Sequence, residues 1–91
     1  MKMPLKSYLL HCINKYGNPC SYQEIMPLIQ KQYPHERQVK KGILTTHLES
    51  LRAVGALEVV DAFEEGKDLV PVYKITNYGQ SLLKYLKPEG N

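Results

Sequence analysis

A chain of 91 residues has room for one small core and no second domain. With 43% hydrophobic and 23% charged residues the composition is that of a folded globular protein rather than a disordered one. The net charge is only +3, but it is polarised: residues 1 to 20 carry three lysines and no acid, whereas residues 61 to 68 carry four acids against Lys67 alone. A mildly basic domain suits a polyanion as partner. Apolar runs are too short for a membrane span or a secretory signal, so no membrane partner and a cytoplasmic location are expected.

In chain order, "PLKSYLLHCINKY" (4–16) places Leu5, Leu9, Cys12 and Tyr16 at helical spacing, with Leu10 and Ile13 flanking the stripe. Pro4 suits the first turn and Gly17 the exit. In "CSYQEIMPLIQKQYP", Ser21 and Glu24 have the spacing of a capping box, so a second helix is expected from about Tyr22. Its buried stripe would be Ile25, Leu28 and Ile29. Pro27 lies too far inside to be harmless, and a kink or a late start is expected there; Pro34 should close the helix.

The third helix is expected over about 39–54. At about 100 degrees per residue, Lys40, Leu44, Leu48 and Leu51 share one narrow sector, with Ile43, His47 and Val54 to one side. Gln38, Gly42, Thr45, Thr46, Glu49 and Ala53 project the other way, giving a leucine seam inside and a small, polar face outside. Gly55 stops the helix, and from Ala56 the period becomes two: Leu57, Val59 and Phe63 alternate with Glu58, Val60 and Ala62. "LVPVYKIT" (69–76) is a second strand, "EEGKD" the turn of an antiparallel hairpin, and Pro71 a sign of an edge. A last helix is capped by Thr76 or Asn77 and offers Tyr78, Leu82, Leu83, Tyr85 and Leu86, a stripe wide enough for helix 1, another subunit, or both. Residues 1–87 form the single expected domain and 88–91 a disordered tail.

The fold class that follows is mainly α with a small antiparallel β-hairpin (α+β), in the order α-α-α-β-β-α. That order, with "LTTHLESLRAVGALEVV" (44–60) and "YKITNYGQSLLKYL" (73–86), resembles the winged helix-turn-helix of bacterial transcriptional regulators of the MarR, ArsR and PadR type. Thr45, Thr46, His47, Leu48, Leu51, Gly55 and Leu57 match the end of the recognition helix and the start of the wing. Tyr73, Ile75, Thr76 and Gly79 match the return strand and closing helix. Two departures stand out: "QYPHERQVKK" is longer than the tight turn of the simplest members, and the hairpin tip carries three acids and one lysine. Phosphates would repel such a tip, so the wing is expected to be short or turned away.

The resemblance implies sequence-specific binding of double-stranded DNA, with the third helix in the major groove and transcription regulation as the outcome. Thr45 and Thr46 would face base edges, with Gln38 and Lys41 near the helix start; Arg37, Lys40, Lys41 and Arg52 would contact phosphates. Taken singly, each is equally readable as a solvated surface residue. The surplus apolar side chains Tyr78, Leu82, Leu83, Tyr85 and Leu86 are the expected homodimer contact, or else pack on helix 1. The rival function is a protein-protein adaptor using the acidic hairpin and the C-terminal helix.

No enzyme is expected. His11 and Cys12 are neighbours on a helix and point about 100 degrees apart, His47 flanks the leucine seam, and no glycine-rich phosphate loop or HExxH pattern is present. Neither a cofactor nor a metal is expected: Cys12 and Cys20, even with His11 or His35 nearby, match no ligand spacing and read as reduced, partly buried thiols.

Overall fold

The computed structural model describes residues 4–34 and 39–85. Within them the elements follow in the order α1 (Leu5–Tyr16), α2 (Tyr22–Gln32), α3 (Lys41–Ala53), β1 (Leu57–Glu65), β2 (Asp68–Ile75) and α4 (Asn77–Leu83). This is the expected order, mainly helical with one antiparallel hairpin. No helix among the described residues is long and apolar enough to cross a membrane.

Helices α1, α2 and α3 pack pairwise around one core. Leu9, Leu10 and Ile13 of α1, Ile25 and Ile29 of α2, and the α3 seam Leu44, Leu48 and Leu51 are all buried there. Fully burying each such side chain contributes about 1.5–3 kcal/mol, so this seam, not helix propensity, fixes the orientation of α3. Two members of the expected stripes lie elsewhere. Leu28 is 42% exposed and Tyr16 40% exposed, flanking a groove of about 470 Å³ between α1 and α2.

Local rules set the helix ends. The Ser21 hydroxyl accepts from the Gln23 N–H at 3.2 Å while Glu24 accepts from the Ser21 N–H at 2.8 Å, completing the capping box. Pro27 neither delays nor ends α2, which is continuous from Tyr22 to Gln32. Pro27 and Gln23, the residue whose carbonyl loses its ladder donor, are both exposed, so solvent can take over that bond. Helix α3 begins at Lys41 rather than Val39, because Lys40 is extended as its N-cap and the Val39 side chain turns into the core.

Gly55 has φ +86°, a left-handed conformation that reverses the chain within one residue and sends it directly into β1. The strands then pair from Leu57 opposite Ile75 to Glu65 opposite Asp68, closed by the two-residue turn Gly66–Lys67. A bulge between Val59 and Asp61 leaves Val60 unpaired and breaks the strict alternation of β1, so that Val59 and Val60 are both largely exposed. On its other side β2 makes a single bridge to Cys20, with the Cys20 N–H donating to the Tyr73 carbonyl at 2.9 Å and the Tyr73 N–H to the Cys20 carbonyl at 2.8 Å. Pro71 falls beyond that bridge, on the open side of β2, where its missing N–H has no partner to lose.

Helix α4 is shorter than expected, seven residues ending at Leu83, and it packs on α1 and β2. Thr76 anchors it: its hydroxyl donates to the Gly55 carbonyl at 2.5 Å and accepts from the Gly79 N–H at 3.0 Å.

Candidate functional site

The outer face of α3 and the hairpin beside it carry most of the residues singled out in the sequence. With the leucine seam inward, Lys40, Lys41, Gly42, Thr46, Arg52 and Ala53 are exposed. A Cβ placed on Gly42 would meet nothing within 4 Å, so the helix backbone itself is accessible at its first turn. The Thr46 hydroxyl donates to the Gly42 carbonyl at 2.9 Å, a bond back along its own helix. Thr45 is placed differently. It is half-buried in a cleft of about 260 Å³ whose other walls are Tyr22, Lys41 and residues 68–71 of β2. Only one of the two threonines thus faces open solvent.

Two cations of this face, Arg52 and Lys41, are tied to acids. Arg52 bonds to Glu49 Oε1 through Nε at 3.0 Å and through a terminal nitrogen at 2.9 Å. The other Glu49 oxygen accepts from the hydroxyl of Tyr73, a residue buried in the core. Arg52 first, then Tyr73, holds the Glu49 carboxyl below the usual carboxylate range; burial first, then Glu49, pushes the Tyr73 hydroxyl far up. Lys41 donates to Glu65 Oε1 at 2.6 Å and lies 5.1 Å from the centre of the Tyr22 ring. That bond raises the Lys41 ammonium and lowers the Glu65 carboxyl relative to their ordinary values.

Glu65 gathers more than Lys41. The Tyr22 hydroxyl lies 2.7 and 2.8 Å from its two oxygens, and the Gln23 side-chain amide donates to Oε2. Of the two outcomes expected of the hairpin, short or turned away, it is not short. The strands are nine and eight residues long, and the end of β1 leans back onto the first turns of α2 and α3. An acidic tip is tolerated there because one of its acids meets a lysine and two neutral donors. Glu58, Asp61, Glu64 and Asp68 remain exposed along the hairpin.

Arg37 and Gln38, the remaining expected DNA contacts, lie outside the described residues, as do His35 and Leu86. Of the expected dimer contacts, Leu82 and Leu83 pack against the core of their own chain, whereas Tyr78 and Tyr85 are exposed, Tyr85 at 84%. His47 is half-buried under α1, where burial and then the charge of Lys6 lower its pKa and favour the neutral ring. Cys12 and Cys20 are free and buried, and among the described residues no three His, Cys, Asp or Glu side chains are grouped to hold a metal ion.

Sequence patterns gave no hint of Tyr22 and Gln23 in this surface, since each looked like an ordinary helix residue and only the return of the hairpin brings them to it; Glu49 was placed on the outer face of α3, but not its bond to Tyr73. Comparisons with protein-family models, with curated proteins and with solved structures find no match to the chain.

Proposed function

We propose that the chain is a DNA-binding transcriptional regulator of winged-helix type that inserts α3 into the major groove. The observation that carries this reading is the open face of α3 made by Gly42 and Thr46, one turn apart, with Lys40 and Lys41 at its leading end. A helix about 10–12 Å across fits a major groove about 12 Å wide, and the missing side chain at Gly42 permits close approach. The Thr46 methyl suits the thymine methyl, and its hydroxyl, whose proton goes to the Gly42 carbonyl, can accept from a base-edge donor; Lys40 and Lys41 suit the flanking phosphates. The paired state of Lys41 and Arg52 does not preclude this, since solvent reaches both pairs and a phosphate can replace a carboxylate without stranding a buried charge. The regulator would act in the cytoplasm as a symmetric homodimer on two half-sites, with exposed Tyr78 and Tyr85 as its contact.

Titration of genomic duplex fragments with the wild type, Lys41→Ala and Thr46→Ala tests this reading. Lys41→Ala should weaken all sequences about equally, whereas Thr46→Ala should act mainly on the preferred one. Affinity should fall with salt at a log-log slope near −0.9 per phosphate contacted. No duplex binding even at low salt would refute the reading.

A specific observation favours a second reading, a protein adaptor. The exposed acids Glu58, Asp61, Glu64 and Asp68 share the hairpin with exposed Val59, Val60 and Leu69, a surface matched to a basic, partly apolar protein face. On that reading Asp61→Asn with Glu64→Gln abolishes partner binding, and duplex binding is absent throughout.

A further inference from the structure

We infer that Tyr22, Gln23 and Lys41 form a binding site for a phosphate group, and that the Glu65 carboxylate fills it in the free protein as a competitor carried by the hairpin. The inference rests on the DNA-binding reading for the source of the phosphate, the nucleic-acid backbone.

Three donors from two helices converge on one carboxylate: the Tyr22 hydroxyl on both oxygens at 2.7 and 2.8 Å, the Lys41 ammonium at 2.6 Å, and the Gln23 amide. A carboxylate and a phosphodiester each present two oxygens sharing one negative charge, and lysine, glutamine and tyrosine are all donors used against phosphate. The donors and their occupant differ in how they are held. Tyr22 packs against the core, and Tyr22 and Gln23 stand in the first turn of α2, whose capping box fixes it. The positive end of that helix also favours an anion. Glu65, in contrast, is the last residue of β1, beside the two-residue turn. A change in the lean of the hairpin removes the carboxylate and leaves the donors in place.

Solvent reaches this pair, with the Lys41 side chain 48% and the Glu65 side chain 33% exposed, so one anion can exchange for another. The site lies beside Thr45 and Gly42 at the leading end of α3, where a helix in the major groove has a phosphate strand alongside. DNA that takes these donors must displace Glu65 and then tolerate its charge nearby. Glu65 therefore restrains affinity for every sequence alike and leaves sequence preference to α3.

The test uses the full chain as wild type, Glu65→Gln, which keeps the acceptor oxygen and removes the charge, and Glu65→Ala. Inorganic phosphate is titrated while the Gln23 side-chain amide and the Lys41 side chain are followed by NMR; the remaining spectrum reports that the fold is kept. Duplex binding is then measured against salt. In Glu65→Ala, phosphate should shift both side chains saturably at concentrations where wild type is unchanged. Both variants should bind duplex roughly three- to tenfold more tightly at low salt, with a log-log slope steeper by up to about 0.9, the value for one phosphate neutralised, because no displaced carboxylate then offsets Lys41. A silent phosphate titration of Glu65→Ala overturns the inference. Duplex binding that occurs but is neither tighter nor steeper in the variants overturns it too, and leaves the DNA-binding reading standing. Saturable phosphate binding by Glu65→Ala with no duplex binding by any form supports the anion site and refutes the DNA-binding reading instead.

Discussion

A Cβ added to Gly79 would lie 2.2 Å from the carbonyl oxygen of Ala56 and 2.7 Å from the Ile75 side chain. That oxygen already accepts the Thr76 N–H at 3.0 Å, so the start of α4 is pressed onto the turn that links α3 to β1. The nearer partner cannot give: it is the backbone of Ala56, fixed between the left-handed Gly55 and the first pair of the hairpin. Gly79→Ala should therefore cost at least about 1–3 kcal/mol, the range for forcing extra atoms into a packed site. In a domain of this size each kcal/mol lowers the melting temperature by about 4–8 °C. An unchanged thermal transition would mean that α4 does not pack here.

Gly42 and Gly55 sit at opposite ends of α3 and should respond to alanine with opposite signs. Gly42 lies in the first turn with open space around it, so Gly42→Ala should stabilise the fold by about 0.5–1 kcal/mol through helix propensity and a less flexible unfolded chain. Gly55→Ala must hold φ +86°, at a cost of about 1–2 kcal/mol. Urea unfolding of both variants checks the pair. On the DNA-binding reading Gly42→Ala also lowers duplex affinity while raising stability, a combination that general damage to the fold cannot produce.

Legibility in the sequence followed locality. The leucine seam of α3, the Ser21–Glu24 capping box, the stop at Gly55 and the glycine turn of the hairpin each depend on residues within one or two turns of each other, and each is found in its place. Exposure at Leu28 and Tyr16 depends on where α1 and α2 diverge, which periodicity does not encode. Cys20 pairs as a single residue with Tyr73, too short a strand to leave an alternating run. The docking of Glu65 joins residues 42, 43 and 24 positions away, and opposite charge alone does not reveal such a partner. A charge count at the tip speaks to how phosphates would meet it and leaves unseen that Glu65 pairs with a lysine of α3.

The two thiols should be inert in the native protein. Burial raises both, Cys20 to about 11, and Cys20 is also held by its bridge to Tyr73. At pH 8 a thiol of that pKa is thiolate in roughly one molecule in a thousand, against about a quarter for an ordinary cysteine near 8.5. A chromogenic thiol reagent should thus react with neither cysteine in buffer and with both in denaturant. Rapid reaction of one equivalent in buffer would show that the groove beside Cys12 opens in the native state.

The Tyr73–Glu49–Arg52 chain should shape how stability varies with pH. A carboxyl lowered on folding, as in Glu49, contributes stability that is present above its unfolded value of about 4.3 and lost as pH falls through the folded value. Glu65 acts in the same direction, and His47, also lowered, begins the loss near its ordinary value of about 6.5. The Tyr73 hydroxyl is raised, so its contribution is complete below about 10 and is lost as pH rises further. The two raised thiols begin an alkaline loss near their ordinary value of about 8.5, so stability should be greatest between about pH 7 and 8 and fall on both sides. Tyr73→Phe removes a bond to a carboxylate that solvent can still reach, at a cost of about 1 kcal/mol at neutral pH. It should also flatten the alkaline fall and soften the acid one, whereas Glu49→Gln should soften mainly the acid side. Urea midpoints from pH 3 to 11 separate these outcomes, and an alkaline fall unchanged by Tyr73→Phe would assign that loss to another group.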